Sequence, residues 1–267
     1  MAGAGGVGRG RGTSMTVTIE PGSRRWWDAD GGWTSAPGAA AGTVLVVGSW
    51  LVEDGRVRGL DRHARRFGAS CARFGVPVDA FLRAVASESW HPGTTTSGPF
   101  PPTQLRLWLR PAPPRTATIR LWTAPHPDRR RHPAIKGPDL DHLAALRAAA
   151  IQAGADEALL LTRSGHVLEG STTSIVWWRG ETLCTSPAAL PGVTLSLLTD
   201  LATAAGHPVV LESATPADLS NCPVWGAQRA ARHPTGHRRA GPIPKSRSMA
   251  VPAGGAGSTR TTGRSAP

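Results

Sequence analysis

Lys136 is the residue of this chain whose surroundings are best suited to covalent chemistry. It lies between the apolar pair Ala134-Ile135 and a Gly-Pro-Asp sequence that begins a helix. This position predicts that the amine is held at the boundary of an element and partly removed from water. Desolvation disfavours a charged ammonium, and a neutral amine can form a Schiff base with an aldehyde. A lone lysine is most often a solvated surface residue, so the assignment depends on the residues that accompany it.

Two further stretches could bind the rest of an aldehyde cofactor. Glu169 follows a hairpin strand, in a run of small hydroxyl residues. A carboxylate there could pair with the pyridinium nitrogen of pyridoxal phosphate (PLP) and keep the ring an electron sink. Gly192, Val193 and Thr194 open the next helix, where backbone N–H groups and a hydroxyl could bind a phosphate. Taken singly, Glu169 would be a solvated acid and Thr194 an ordinary helix cap.

An upstream helix carries a candidate phosphate-binding arginine. The segment His63-x-x-Arg66-Phe67 lies in an amphipathic stretch that predicts a helix. A guanidinium at Arg66 could bind a phosphate through two hydrogen bonds. The competing interpretation is that Arg62, Arg65 and Arg66 form a solvated helix face, and only the downstream motifs favour the phosphate role for Arg66.

Together these residues resemble the class IV PLP-dependent aminotransferases, which include branched-chain and D-amino-acid aminotransferases and 4-amino-4-deoxychorismate lyase. The resemblance covers roughly residues 44–228 and is carried by Lys136, the run from Gly154 to Ala158, Gly165, Glu169, and the run from Leu190 to Thr194. It implies that Lys136 holds PLP as a Schiff base and that Glu169 binds the pyridinium nitrogen. It also implies that the phosphate is bound by Arg66, Gly192, Val193 and Thr194.

The resemblance implies transfer of an amino group between an amino acid and a 2-oxo acid, in a homodimer. The lyase of folate synthesis, which releases pyruvate from aminodeoxychorismate, uses the same cofactor residues, so the motifs do not separate the two reactions. Three departures from the family pattern bear on substrate choice. Ser174 replaces a frequent asparagine, Leu195 replaces a common arginine, and the loop that closes the active site is absent or scrambled.

Helices and strands mix without a βαβ period or a GxGxxG loop, which predicts an α+β fold and argues against a Rossmann fold. The resemblance implies PLP fold type IV, with a small α/β N-terminal domain and a larger, barrel-like α/β C-terminal domain. We expect a disordered or weakly ordered extension at 1–42, the N-terminal domain at 43–125, a linker at 126–133, a truncated PLP-binding domain at 134–228 and a disordered basic tail at 229–267.

Several local expectations follow from the same pattern. The strands TQLRLWLRP and TATIRLWTA should form an antiparallel pair joined by the turn Pro111–Pro114. The linker HPDRRRH is expected to be solvated. Asp139 is a candidate N-cap for the helix that follows Lys136. Trp177 and Trp178 are expected to pack in the core rather than to form a substrate platform.

Composition limits the remaining function classes. No apolar run is long enough to span a membrane and no apolar signal core opens the chain, which predicts a cytoplasmic protein. The three cysteines are widely spaced and predict reduced thiols rather than a disulfide framework, and no histidine pair predicts a metal site.

The net charge of +12 suggests nucleic-acid binding until its location is considered. Eight Arg and Lys residues lie from Arg229 to the end and two lie within residues 1–14, which leaves only about +2 for residues 15–228. This near-neutral body argues against a non-enzymatic basic nucleic-acid-binding protein, for which DNA binding would depend steeply on salt. An inactive relative that has lost its closing strand and loop is a further alternative.

The composition changes abruptly near Gln228. Residues 229–267 consist almost entirely of Arg, Ala, Pro, Gly, Ser, Thr and His, without periodicity. Shifting the reading frame of Gln228–Arg238 by one base, with CGN arginine codons, permits the sequence NALHGIRPVT at every position, and the family's closing loop is close to that sequence. We hypothesise that the frame slipped just before Gln228. The competing interpretation is a natural basic tail; an uninterrupted frame on resequencing of the gene would refute the slip.

Overall fold

A six-stranded antiparallel sheet forms the centre of the first half of the chain. The computed structural model describes residues 18–19, 22–28, 32–34, 44–90, 93–100, 104–112 and 118–227. The strands of this sheet are β2 (Arg24–Asp28), β3 (Gly32–Thr34), β4 (Gly48–Glu53), β5 (Arg56–Val57), β7 (Gly93–Phe100) and β8 (Gln104–Arg110). They lie in the order β3-β2-β8-β7-β4-β5. A separate parallel pair joins β1 (Thr18–Ile19) to β6 (Ser89–Trp90).

Two helices pack on this sheet, α1 (Leu60–Ala72) and α2 (Asp79–Ser87). Alternate residues of β8, namely Leu105, Leu107 and Leu109, are buried on one face because side chains of a strand alternate between its two faces. Phe67 of α1 and Phe81 of α2 join the same core, with ring centroids 6.0 Å apart. The amphipathic stretch around Arg66 therefore predicted correctly that α1 packs one face in the core.

The extension expected at 1–42 is wrong for its central part. Trp27 of β2 pairs with Leu105 of β8, so the segment joins the six-stranded sheet. Trp27 and Trp33 contact each other edge-on with centroids 5.2 Å apart, and both contact Phe81. Two large aromatic side chains bury enough apolar surface to offset the ordering of a short hairpin. Because small residues predominate on either side, the composition of the extension predicted disorder instead.

The antiparallel pair expected across Pro111–Pro114 is also wrong. The strand β9 (Leu121–Thr123) pairs in parallel with β10 (Glu157–Leu161), in a different sheet from β8. Alternation of apolar and polar residues assigns the two faces of a strand but does not select its partner. The chain therefore leaves the first sheet after Arg110 and enters the second half of the molecule before Leu121.

The second half contains two small sheets and two helices. Besides β9 and β10, its strands are β11 (Val167–Gly170), β12 (Ser174–Arg179), β13 (Thr182–Thr185), β14 (Val209–Leu211) and β15 (Val224–Ala227), and its helices are α3 (Leu140–Gln152) and α4 (Val193–Ala204). One sheet has the order β11-β10-β9 and the other has the order β14-β13-β12-β15. Helices and strands are thus mixed in both halves, which confirms the α+β fold class.

The tryptophan pair of β12 packs in two different cores. Trp177 is fully buried with Ile175 and Cys184, and its indole N–H donates to Oε2 of Glu212 at 3.0 Å. Trp178 faces the opposite side, where its ring lies 5.4 Å from that of Trp225. The expectation that these rings serve packing is confirmed.

The thiols are free, as expected. Cys71, Cys184 and Cys222 form no disulfide, and burial raises the pKa of Cys71 to about 12 and that of Cys184 to about 11. Within the described ranges, no helix has the length and apolar character needed to cross a bilayer. The tail from residue 229 and the proposed frame slip lie outside the described residues.

Candidate active site

Arg66 is a half-buried cation near the middle of α1. Burial lowers the pKa of its guanidinium. Among the described residues it has neither a hydrogen-bond acceptor nor a carboxylate partner, whereas Arg65 is exposed and lies 2.7 Å from Asp61. A cation removed from water without a counterion is unfavourable, so its surroundings favour an anionic ligand. Arg66 is therefore less exposed than the solvated-face interpretation implies.

The helix α4 begins beside Arg66. One turn earlier on α1, Arg62 donates to Oγ of Ser196 at 2.5 Å and lies 2.5 Å from Oδ2 of Asp200, which fixes α1 against α4. A cavity of about 690 Å³ lies between these elements, and its lining includes Arg62, Arg65, Arg66, Gly192, Val193 and Ser196. No side chain of a described residue caps the start of α4, so the first N–H groups of this helix could bind an anion.

Glu169 reaches the same region from β11. The whole residue is 4 % exposed, and its Oε1 accepts the backbone N–H of Leu190 at 2.9 Å. The carbonyl of Leu190 in turn accepts the N–H of Gly192 at 2.6 Å. Glu169 therefore holds the loop that leads into α4. Burial raises the pKa of Glu169, and the guanidinium of Arg130 and the Leu190 N–H oppose that rise.

Arg130 is a site residue that the sequence did not reveal. Its side chain is only 5 % exposed, and its Nη1 donates to Oε1 of Glu169 at 2.8 Å. Its Nε donates to Oδ2 of Asp128, also at 2.8 Å. The expectation of a solvated linker is therefore wrong at this residue. The spacing of Asp128 and Arg130 is compatible with a local pair, but the contact with Glu169, 39 positions away, leaves no signal in the sequence.

The segment around Lys136 is fixed to the first half of the chain. Ile135 is buried in the core that contains Phe67, and the carbonyl of Lys136 accepts the N–H of Val47 at 2.6 Å. The Lys136 side chain is half-buried. Asp139 is the N-cap residue of α3, as expected, but its side chain makes no capping hydrogen bond to this helix. Its carboxylate instead accepts two backbone N–H groups of the preceding connector, those of Arg131 and His132, at 3.0 and 2.9 Å.

Gly137 provides a test of this anchoring. A Cβ at this position would lie 2.5 Å from the carbonyl oxygen of Leu45 and 2.7 Å from Cα of Val46. We expect Gly137→Ala to lower the free energy of unfolding by about 1–3 kcal/mol, because the backbone on both sides must move. Urea unfolding checks this. The matched control is Gly68→Ala in α1, where the nearest contact would be an ordinary 3.5 Å to Leu82, and equal midpoints for the two variants would contradict the prediction.

Glu157 is a second residue whose role the sequence did not show. It is fully buried, and its carboxylate accepts the hydroxyl of Ser171 and both the hydroxyl and the N–H of Thr172, the latter two at 2.5 and 3.1 Å. These bonds close the turn that follows Glu169. Glu157 therefore orients β11 and the turn after it. It is not among the residues that line the cavity.

The predicted residues are thus brought together in part. Arg66, Gly192 and Val193 line the cavity; Glu169 reaches them through Leu190; and Thr194 is half-buried in the first turn of α4. Lys136 follows Arg130 by six residues in the chain and is not among the residues that line the cavity. Within the described part of the chain, no group of three His, Cys, Asp or Glu side chains could hold a metal ion.

Comparisons with known proteins identify the family of the chain. The family described as amino-transferase class IV matches residues 46–223. Branched-chain aminotransferase of Escherichia coli has 16 % identity and a TM-score of 0.68, over 79 % of this chain and 84 % of that one. A hypothetical aminotransferase of Mycobacterium tuberculosis, solved with α-ketoglutarate and PMP, has 20 % identity and a TM-score of 0.64 over 77 % and 87 %.

A putative 4-amino-4-deoxychorismate lyase of Legionella pneumophila is also similar, with 16 % identity and a TM-score of 0.61 over 69 % of this chain and 79 % of that one. No curated protein sequence matches significantly. At these identities the solved structures show the fold alone, whereas the family match spans well over half of the chain. The chain therefore belongs to the class IV aminotransferase family and is a PLP-dependent enzyme.

Proposed function

We propose that this protein binds PLP and transfers an amino group between an amino acid and a 2-oxo acid, with Lys136 as the catalytic residue. The observation that carries this proposal is the half-buried guanidinium of Arg66, which lacks a partner among the described residues and lines a cavity with the start of α4. A cation and a helix N-terminus facing one cavity suit a phosphate group.

The other candidate residues fit the remaining parts of PLP. The backbone N–H groups of Val193 and Thr194, with the threonine hydroxyl, would complete the phosphate site. Both hydrogen bonds that Glu169 accepts from described residues go to Oε1, so Oε2 could accept a hydrogen bond from the ring nitrogen. Lys136 would bind the aldehyde carbon. When bound, the cofactor supplies an electron sink that withdraws charge from the substrate carbon.

The residues of the chain would then have separate tasks. The amine of Lys136, once released by an incoming amino substrate, would take the proton from the substrate Cα and return it at the cofactor carbon. Glu169 would keep the ring nitrogen protonated, and Arg66 would hold the phosphate so that the reacting carbon stays within reach of Lys136. A homodimer and a cytoplasmic location, with small-molecule substrates and no nucleic-acid partner, are part of this proposal.

Reductive trapping tests the cofactor assignment. Lys136 and Lys245 are the only lysines of the chain, so a label can be assigned without ambiguity. After incubation with PLP and borohydride, we expect the phosphopyridoxyl group on the peptide that contains Lys136 and not on the one that contains Lys245. A label only on Lys245 or on the N-terminal amine would refute the proposal.

Product analysis then separates the two reactions of the family. Amino acids and 2-oxo acids are supplied in pairs, and amino-group transfer is followed by the new amino acid. Aminodeoxychorismate is supplied in parallel, and pyruvate release is measured. Transfer without pyruvate release supports the proposed function. Pyruvate release without transfer would show instead that the same residues serve the lyase reaction.

A further inference from the structure

The linker at residues 126–133, called the connector here, contributes two residues to a buried charge cluster beside the site. Asp128, Arg130 and Glu169 have side-chain exposures of 9, 5 and 6 %. The guanidinium of Arg130 lies between the two carboxylates, 2.8 Å from each. Burying a guanidinium removes it from water, which is unfavourable, and the two ion pairs offset part of that desolvation cost. With both carboxyls ionised, the cluster carries one negative charge in excess.

The two oxygens of Glu169 have different surroundings. Oε1 accepts the Nη1–H of Arg130 at 2.8 Å and the N–H of Leu190 at 2.9 Å, while Oε2 accepts no hydrogen bond from a described residue. Two donors from different segments fix the plane and rotation of the carboxylate. They therefore also fix the direction in which Oε2 points.

We propose that Arg130 is a positioning residue for the cofactor ring: it holds Oε1 of Glu169, so that an ionised Oε2 is presented to the protonated ring nitrogen. This inference rests on the proposed function. A protonated ring nitrogen would also supply the positive charge that neutralises the cluster of Asp128, Arg130 and Glu169. Arg130 thus acts through Glu169 and does not itself touch the reacting atoms.

The charged groups that act on Glu169 among the described residues are Arg130 and Asp128, with opposite effects. Burial and the negative charge of Asp128 raise the pKa of Glu169, whereas Arg130 lowers it. Removing Arg130 would raise the pKa of Glu169 further, and a protonated carboxyl no longer offers a negative charge to a pyridinium. On acidification, the variant should therefore lose PLP affinity at a higher pH than the parent protein.

The test compares two ligands in the full chain: PLP, and its carbon analogue in which a CH group replaces the ring nitrogen. Dissociation constants are measured by absorbance and equilibrium dialysis for the parent protein, Arg130→Gln and Glu169→Gln. We expect the parent to prefer PLP over the analogue by at least about tenfold. Both variants should lose that preference while their affinity for the analogue stays within about twofold of the parent value.

Other results would overturn the inference. If Arg130→Gln keeps the parent's preference for PLP, or weakens both ligands equally, Arg130 has only a structural role. If Arg130→Gln does not fold, Arg130→Lys is tested instead, because a lysine keeps the charge but donates in only one of the two directions. We expect its preference for PLP over the analogue to lie between those of the parent and Glu169→Gln. A preference equal to that of the parent would refute the positioning role. Failure of the parent to bind PLP would instead refute the proposed function.

Discussion

Lys136→Ala should abolish amino-group transfer, with a loss of kcat on the order of 10⁴-fold or more. The substitution removes both the amine that binds the aldehyde and the base that moves the substrate proton, and the base alone is worth about 10²- to 10⁴-fold. The measurement is single-turnover transfer with PLP present in excess, followed beside the absorbance band of the lysine-bound cofactor, which should be absent from the variant.

Lys245→Ala is the matched control, because Lys245 is the other lysine of the chain and lies beyond the segment that matches the family. This variant should keep the band and the activity of the parent. Unfolding midpoints confirm that neither alanine variant is misfolded. Transfer by Lys136→Ala at a rate near that of the parent would contradict the assignment of the catalytic amine.

Arg66→Ala should weaken PLP binding by about 10- to 150-fold, because a hydrogen bond to a charged group contributes about 1.5–3 kcal/mol. The same variant should bind pyridoxal, which lacks the phosphate, as well as the parent does. The measurement is titration of both ligands by absorbance. Loss of a half-buried guanidinium that has no partner among the described residues should also leave the folded chain as stable as the parent, or more stable.

Arg73→Ala provides the control for this prediction. Arg73 is exposed at the end of α1, so its truncation removes an arginine of the same helix at a distance from the cavity. We expect its affinity for PLP to stay within about twofold of the parent value. An equal loss of affinity for PLP and pyridoxal in Arg66→Ala would mean that the variant distorts α1, and would contradict a phosphate contact.

The site residues whose places in the fold could be predicted from sequence are those set by local chain geometry. Glu169 is placed by a short hairpin, Gly192 and Thr194 by the start of a helix, and Arg66 by its phase on α1, and each of these relations spans only a few residues. Periodicity and turn chemistry encode such relations directly. The tight turn at Asp54-Gly55, with φ of 48° and 71°, was predictable for the same reason.

The features that could not be predicted depend on which distant segments meet. Arg130 is one of three consecutive arginines, and only the approach of β11 distinguishes it from its neighbours. The partner of β9 is likewise decided by packing, since its alternation is equally compatible with β8 and with β10. Trp27 and Trp33 were missed because the many small residues of the N-terminal extension outweighed two aromatic side chains in the averaged pattern.

The attachment of Lys136 has a consequence for how cofactor loading would affect the whole molecule. The Lys136 carbonyl accepts the N–H of Val47, and the neighbouring Ile135 is buried in the first core. Glu169 and α4, in contrast, belong to the second half. A ligand bound at once by Lys136, Arg66 and Glu169 would act as a cross-link between the two halves. Ligand binding would stabilise the folded protein by RT ln(1 + [L]/Kd), where [L] is the concentration of free ligand. The segment between the two halves would therefore resist proteolysis more strongly when the ligand is bound. Loss of the cofactor would then make cleavage between the halves an early step in degradation.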